Sequence, residues 1–178
     1  MLRISQSGFP DSINLQTSFD GKSWTSYNVG DIIDINSGGK VYFKAVGSNH
    51  RMATSPGNYH KFDFSGEFEA SGNVNSLLEE DETVARTMSL EGREMCYVNL
   101  FSGTALTTAP ELPATTLAKF CYANMFNGCT SLTQAPELPA TTLADFCYYL
   151  MFSGCTSLTQ APELPADSLV ESCYAFMF

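Results

Sequence analysis

The chain has 178 residues, of which 44% are apolar and 12% aromatic, enough to bury a core and to argue against a disordered chain. Nine Lys and Arg stand against 19 Asp and Glu, for a formal charge of −10. A nucleic-acid binder needs a basic stripe and an anionic membrane surface needs basic clusters; this composition excludes both readings, and no apolar run reaches the ~20 residues of a membrane helix.

The opening MLRISQSGFP has no apolar stretch after Arg3 and does not read as a secretion signal. Residues 13–46 alternate apolar and polar, with turn signals at Asp20-Gly21 and Gly38-Gly39. YHKFDFSGEFEASG adds two short strands around Ser65-Gly66. Five to seven strands at this spacing predict a small β-sandwich over residues 1–75. Within it, SFDGKSWT is similar to the Asp-box hairpin of sialidases and other propellers, which is a folding element and not a catalytic one. Trp24 is expected to be a hairpin or core aromatic. GSNHRMATSPGNYH, residues 47–60, holds both histidines and reads as a long polar loop. Residues 76–93 read as a linker whose acidic run, Glu79 to Glu82, is a solvated segment without the spacing of a calcium loop.

From residue 94 the text changes. Leu106, Leu132 and Leu158 begin three copies of one sentence with a period of 26 residues, and residues 94–107 hold an earlier degenerate copy. A fixed period of this size is the signature of a solenoid whose units bury their apolar faces on one another. In each unit, LTQAPELPA is predicted to be extended, because Pro136 and Pro139 keep it out of a helix. TTLADFCYYLMFSGC is predicted to be a helix of about three turns. Thr142 and Asp145 form its capping box, and Leu143, Phe146, Cys147, Leu150 and Met151 form its buried stripe. The chain reaches Phe178 inside the last such helix, before a Gly-Cys turn and without a polar cap, so a continuation beyond Phe178 is expected.

The repeated text, LTxAPELPATTLAxFCYxxMFxGCTS, resembles the BspA-like branch of the leucine-rich repeats found in Bacteroidetes surface proteins. It is carried by Leu106, Pro110, Leu112, Pro113, Leu117, Cys121, Tyr122, Met125, Phe126, Gly128, Cys129 and their copies. Residues 20–46 resemble the module that often precedes such repeats. The resemblance implies a leucine-rich-repeat solenoid over residues 94–178 behind the β-sandwich-like module. It also implies a non-enzymatic role in recognition or adhesion at a cell surface, with a protein or glycan as ligand. Related repeats also occur in phage proteins, so a phage tail or receptor-binding component in the virion is the alternative.

Chemistry-bearing residues are sparse. His50 and His60 share one loop, away from the cysteines, and no nucleophile motif, phosphate loop or metal-ligand spacing is present. No catalytic residue, cofactor or metal is expected. The columns Cys121/Cys147/Cys173 and Cys129/Cys155 follow packing, as free thiols in a tight layer, with a bond between coils as the alternative in an oxidising compartment. Two columns are candidate ligand contacts. Glu111, Glu137 and Glu163 recur one period apart on an outer face. They form either a solvated face or a site relieved by a cation or by sugar hydroxyls. Tyr122, Tyr148 and Tyr174, with Tyr149 beside them, either meet a partner or pack coil against coil.

Overall fold

The computed structural model describes residues 1–8, 11–36 and 38–178; the predicted strand-and-turn stretch of residues 13–46 runs through Ser37, which lies outside them. Three small sheets and long runs of turns make up the chain. The expected fold class, an α/β leucine-rich-repeat solenoid behind a β module, is thereby corrected. The described residues hold one short 3-10 helix, Val74–Leu77, and one short α-helix, α1 (Glu82–Thr87). Neither lies in residues 94–178, where a helix per unit was predicted.

Seven strands lie in the front part: β1 (Leu2–Ser7), β2 (Leu15–Ser18), β3 (Thr25–Tyr27), β4 (Tyr42–Ala45), β5 (Ala53–Ser55), β6 (Asn58–Phe64) and β7 (Phe68–Glu69). They form one antiparallel sheet in the order β1-β6-β5 and a second in the order β3-β2-β4. Alternation sends Leu2, Ile4, His60 and Phe62 inward from the first sheet. Phe43 of the second sheet meets Phe62 of the first edge-to-face at 5.3 Å. Tyr27 ties the sheets together: its hydroxyl accepts from the Ile4 N–H and donates to the Asp31 carbonyl.

The Asp20 turn is built from its own side chains. The carboxylate accepts from the Lys22 and Ser23 N–H groups and from the Ser18 and Ser23 hydroxyls. These donors hold its pKa well below the usual carboxylate range. Trp24 stays half-buried under the Lys44 ammonium, 4.9 Å from the ring centroid.

Residues 76–93 are not bare chain. Leu77, Leu78 and Leu90 enter the main apolar core, and Ala85 is buried as well. Each carboxylate of the acidic run has a protein donor. Glu79 takes the Ser48 hydroxyl, Glu80 the Gly47 N–H and Lys44, Asp81 caps α1, and Glu82 pairs with Arg86. The donors on Ser48 and Gly47 hold Glu79 and Glu80 below the usual range.

In the repeats, the backbone enters the left-handed region at every fourth residue. Met95 and Asn99, Phe120 and Asn124, Phe146 and Leu150, and Ser172 and Phe176 all have φ between 51° and 61°. Gly103, Gly128 and Gly154 continue the series. A left-handed residue interrupts a right-handed helix, so no α-helix propagates. Alternate N–H groups close turns within a unit, as from Cys121 to the Ala118 carbonyl and from Ala123 to that of Phe120. The intervening ones cross to the next unit, as from Tyr122 to the Cys147 carbonyl at 3.0 Å and from Asn124 to that of Tyr149 at 2.9 Å. The result is a ribbon of overlapping turns in each unit, hydrogen-bonded to the ribbon beyond it. The extended segments meet only through isolated parallel bridges, Thr108↔Gln134 and Thr116↔Thr142. That sparseness follows from the prolines, which lack an N–H to donate.

Burial explains why each unit accepts the strain. Every non-glycine residue in the left-handed region costs roughly 1–2 kcal/mol. In return, Phe101, Phe126, Phe152 and Phe178 stack at 5.6–5.9 Å with interplanar angles of 5–15°. Tyr97, Tyr122, Tyr148 and Tyr174 stack at 5.6–5.7 Å. The buried residues of one turn ribbon are Cys147, Tyr148, Met151, Phe152 and Cys155, a strict four-residue period. The predicted stripe of Leu143, Phe146, Cys147, Leu150 and Met151 is corrected on this point, since Leu143, Phe146 and Leu150 are only half-buried.

The front part closes one end of this stack. Met52 donates its N–H to the Cys96 carbonyl at 2.7 Å and Phe62 donates to Leu100 at 2.9 Å. The Phe62 ring lies flat on Phe101 at 5.2 Å. β7 pairs in parallel with β8 (Leu106–Thr108). The predicted polar loop of residues 47–60 is therefore largely structural. Asn49, Met52, Ala53 and His60 are buried, and β5 and the start of β6 lie inside it.

Candidate functional site

The cysteines line the buried side of the ribbon. All six are free and buried. The Cys129 and Cys155 thiols donate to the Phe101 and Phe126 carbonyls of the preceding unit at 3.1 Å. Thr104, at the Cys129 position of the degenerate first copy, donates to the Phe101 carbonyl as well. Burial pushes the Cys147 and Cys155 thiols up to about 11, and Cys96 and Cys121 further still. Thiols held in this way are poor nucleophiles at neutral pH.

The tyrosine column divides. Tyr122 and Tyr148 are 1% and 2% exposed, each between two stacked rings, and so present nothing to a partner. This corrects their reading as ligand contacts. Burial raises both phenols well above the usual tyrosine range. Tyr97 donates to Asn75 Oδ1 at 2.7 Å, whereas the buried Tyr122 and Tyr174 hydroxyls have no hydrogen-bond partner among the described residues. Tyr174 is half-buried at the last unit. Tyr149 lies on the opposite side of the ribbon, where it meets Phe146 at 5.8 Å and Phe176 at 6.0 Å, both edge-on.

Glu111, Glu137 and Glu163 are all exposed. Glu111 pairs with Arg86 at 3.2 Å, which relieves the first carboxylate without a ligand. Among the described residues, no group of three or more His, Cys, Asp or Glu side chains is placed to hold a metal ion.

A surface that the sequence reading did not single out lies around Tyr149. Phe120 and Phe146 stack at 4.7 Å, half-buried, and Phe176 is 71% exposed. With Tyr149 they form an aromatic strip running across three units. Lys119 sits over Phe120 and Phe146 at 5.8 and 5.7 Å and pairs with Asp145 at 3.6 Å. Phe120, Phe146 and their ribbon neighbours reach this side because the left-handed positions turn out of the buried face. The signal in the sequence was the Phe that precedes Cys121-Tyr122 and Cys147-Tyr148, which the helical reading had placed in the core.

Rings with exposed edges beside an ion pair offer apolar contact, cation–π attraction and charged hydrogen bonding in one place. No helix among the described residues is long and apolar enough to cross a membrane. Compared with known proteins, the chain matches no family model, no curated protein and no solved structure.

Proposed function

We propose that this protein is a non-enzymatic recognition module that binds a protein or glycan at a cell surface through the strip of Phe120, Phe146, Tyr149 and Phe176. The carrying observation is the strip itself. Four aromatic rings lie side by side and partly open on a hydrogen-bonded ribbon, with Lys119 and Asp145 alongside. Aromatic side chains on a rigid support lose little conformational entropy on binding and supply most of the energy of shallow interfaces. The resemblance of the repeat text to BspA-like surface repeats supports the same class of function. Glu137 and Glu163, exposed and without an ion pair among the described residues, supply a polar surround on the outer face of the repeats.

The test is binding of the labelled protein to mucin, to matrix glycoproteins and to intact Bacteroidetes cells, alongside the Tyr149→Ala and Phe176→Ala variants. Binding to mucin or matrix that weakens about tenfold in both variants supports adhesion. Binding to cells that disappears with the capsule moves the protein to the virion, as a receptor-binding component. Absence of binding to all three, or binding indifferent to both variants, overturns the proposal.

A further inference from the structure

Positive charge is scarce in this chain and unevenly placed. Residues 1–75 hold six of the nine Lys and Arg but only seven of the 19 Asp and Glu. Among the described residues, six of the nine cations reach a carboxylate. Arg93 instead donates to the Asn49 and His50 carbonyls. Lys22 and Lys40 are exposed and pair with no carboxylate among the described residues. Both flank the outer face of the sheet β3-β2-β4. Alternation turns Leu15, Thr17 and Phe43 inward, and so Gln16, Ser18, Tyr42 and Lys44 outward. Tyr42 lies opposite Ser18 on one side of β2. Trp24 precedes Thr25, the partner of Thr17, and so lies beside Ser18 on the other side. The backbones of Trp24 and Tyr42 are therefore two strand spacings apart, ~10 Å. Tyr42 is 42% exposed, and a Cβ on Gly21 would lie 3.7 Å from its ring. Lys22 follows Gly21 in the turn, and Lys40 stands two residues before Tyr42. Lys44 reaches the Trp24 ring at 4.9 Å and Glu80 at 3.3 Å. The one acid of the turn, Asp20, is already enclosed by four donors of the turn itself.

We propose that this face is a binding site for an acidic oligosaccharide, one that carries carboxylate or sulfate groups, with Tyr42 and Trp24 under its sugar rings and Lys22 and Lys40 on its anions. Charge complementarity selects the anion. In a chain of formal charge −10, the two lysines without a carboxylate partner stand at the same aromatic face. An ammonium gains most from an anion where no protein carboxylate competes for it. The rings select a sugar. A pyranose offers an apolar C–H face to an aromatic ring and hydroxyls around its rim. Two rings set two strands apart fit alternate sugars of an extended chain. Gln16 and Ser26, neighbours in register between them and Lys44, offer hydrogen bonds to the hydroxyls. A folded protein partner needs a contiguous apolar centre, which these polar residues interrupt. This site lies on the front sheet and does not rest on the aromatic strip of the repeats.

Trp24 is the only tryptophan, so its emission reports this face and no other. The probes are hexasaccharides of hyaluronan, with carboxylates alone, and of heparin, with sulfates as well, titrated into the full chain. Chitohexaose is the neutral control and oligothymidylate of equal charge the polyanion control. A saturable change in emission is expected with at least one acidic hexasaccharide, at least tenfold tighter than with either control. A Lys22→Gln, Lys40→Gln double variant should weaken it at least tenfold, and so should Tyr42→Ser; both alter exposed positions and should keep the near-UV spectrum. An Arg3→Gln, Arg86→Gln double variant, with the same loss of charge elsewhere, should bind as the wild type does. No change in emission with either acidic probe, or equal affinity for chitohexaose, would refute the assignment. Equal affinity for oligothymidylate, or equal weakening by the two double variants, would also refute it, because charge alone would then account for the binding.

Discussion

Replacing Leu150 once by glycine and once by alanine distinguishes a turn ribbon from a helix by the sign of one difference. Both substitutions remove the same side chain, so the packing loss cancels between them. Both keep the Leu150 N–H that reaches the Ala175 carbonyl at 3.1 Å. Leu150 has φ 54°. Alanine there bears roughly 1–2 kcal/mol of steric cost. Glycine bears none, but loses about 0.4–1 kcal/mol through the greater freedom of its unfolded chain. The glycine variant should therefore be the more stable by about 0.5–1 kcal/mol. In a helix interior the order reverses, with glycine about 1 kcal/mol worse than alanine. Urea denaturation of the two variants, with equal m-values as the check on two-state behaviour, reads the difference directly. In a chain of this size it corresponds to roughly 1–4 °C in melting temperature. An alanine variant more stable than the glycine variant would refute the ribbon.

The phenylalanine column predicts a gradient. Phe126→Leu removes two stacks, with Phe101 and Phe152, and should cost about 1–3 kcal/mol, whereas Phe178→Leu removes one at an exposed end and should cost under about 1; equal losses in chemical denaturation would contradict it. His60 is buried with Nδ1 donating to the Met52 carbonyl, and burial lowers its pKa. The unfolded chain then binds a proton that the folded chain resists. The associated stability is present above the ordinary histidine value of ~6.5 and is lost as pH falls through the folded value. Between pH 7.5 and 5.5 the wild type should lose more stability than His60→Gln, and parallel losses would contradict this. A thiol titration at pH 8 should show negligible reaction while the chain is folded and six thiols in denaturant; fewer than six in denaturant would mean a disulfide.

Much of this was written plainly in the residues. The strands around the Asp20 turn follow from alternation and from a side chain that satisfies its own turn. The existence of the repeat, its 26-residue period and the extended proline segments could be read directly. The conformation of the FCYxxMFxGC stretch could not be, because pairs spaced by four residues nearly satisfy a helical stripe of period 3.6. What distinguishes the two is the strictness of the four-residue spacing in Cys147-Tyr148, Met151-Phe152 and Cys155. A further sign is that a chain of αL positions falling on Phe and Leu is tolerable only with a neighbour to bond. That neighbour is a tertiary fact, and local propensity does not contain it. Glu80, Asp81 and Glu82 are exposed, as the acidic run suggested. The hydrogen bonds that Glu79 and Glu80 take were not legible, because their donors, Ser48 and Gly47, lie more than thirty residues away.

Differences between the copies point to the strip and away from the glutamate column. Residues 109–134 and 135–160 differ only at Lys119/Asp145, Ala123/Tyr149, Asn124/Leu150 and Asn127/Ser153. Exposure alone does not explain this choice. Glu111/Glu137, Thr115/Thr141, Thr130/Thr156 and Thr133/Thr159 are exposed in both copies and identical. The changes fall within one ribbon: Lys119, Asp145 and Tyr149 touch the aromatic strip, and Asn124 and Leu150 share a left-handed position. The buried side of the ribbon leaves little latitude, because each ring must lie on the next. The strip side has no such constraint, yet its backbone is held by the same inter-unit bonds. A surface that varies from unit to unit on a backbone that does not is suited to reading different features of an extended ligand at regular intervals. On that physical ground a change at Tyr149 should alter what is bound, while a change at Glu137 should alter mainly how binding depends on salt.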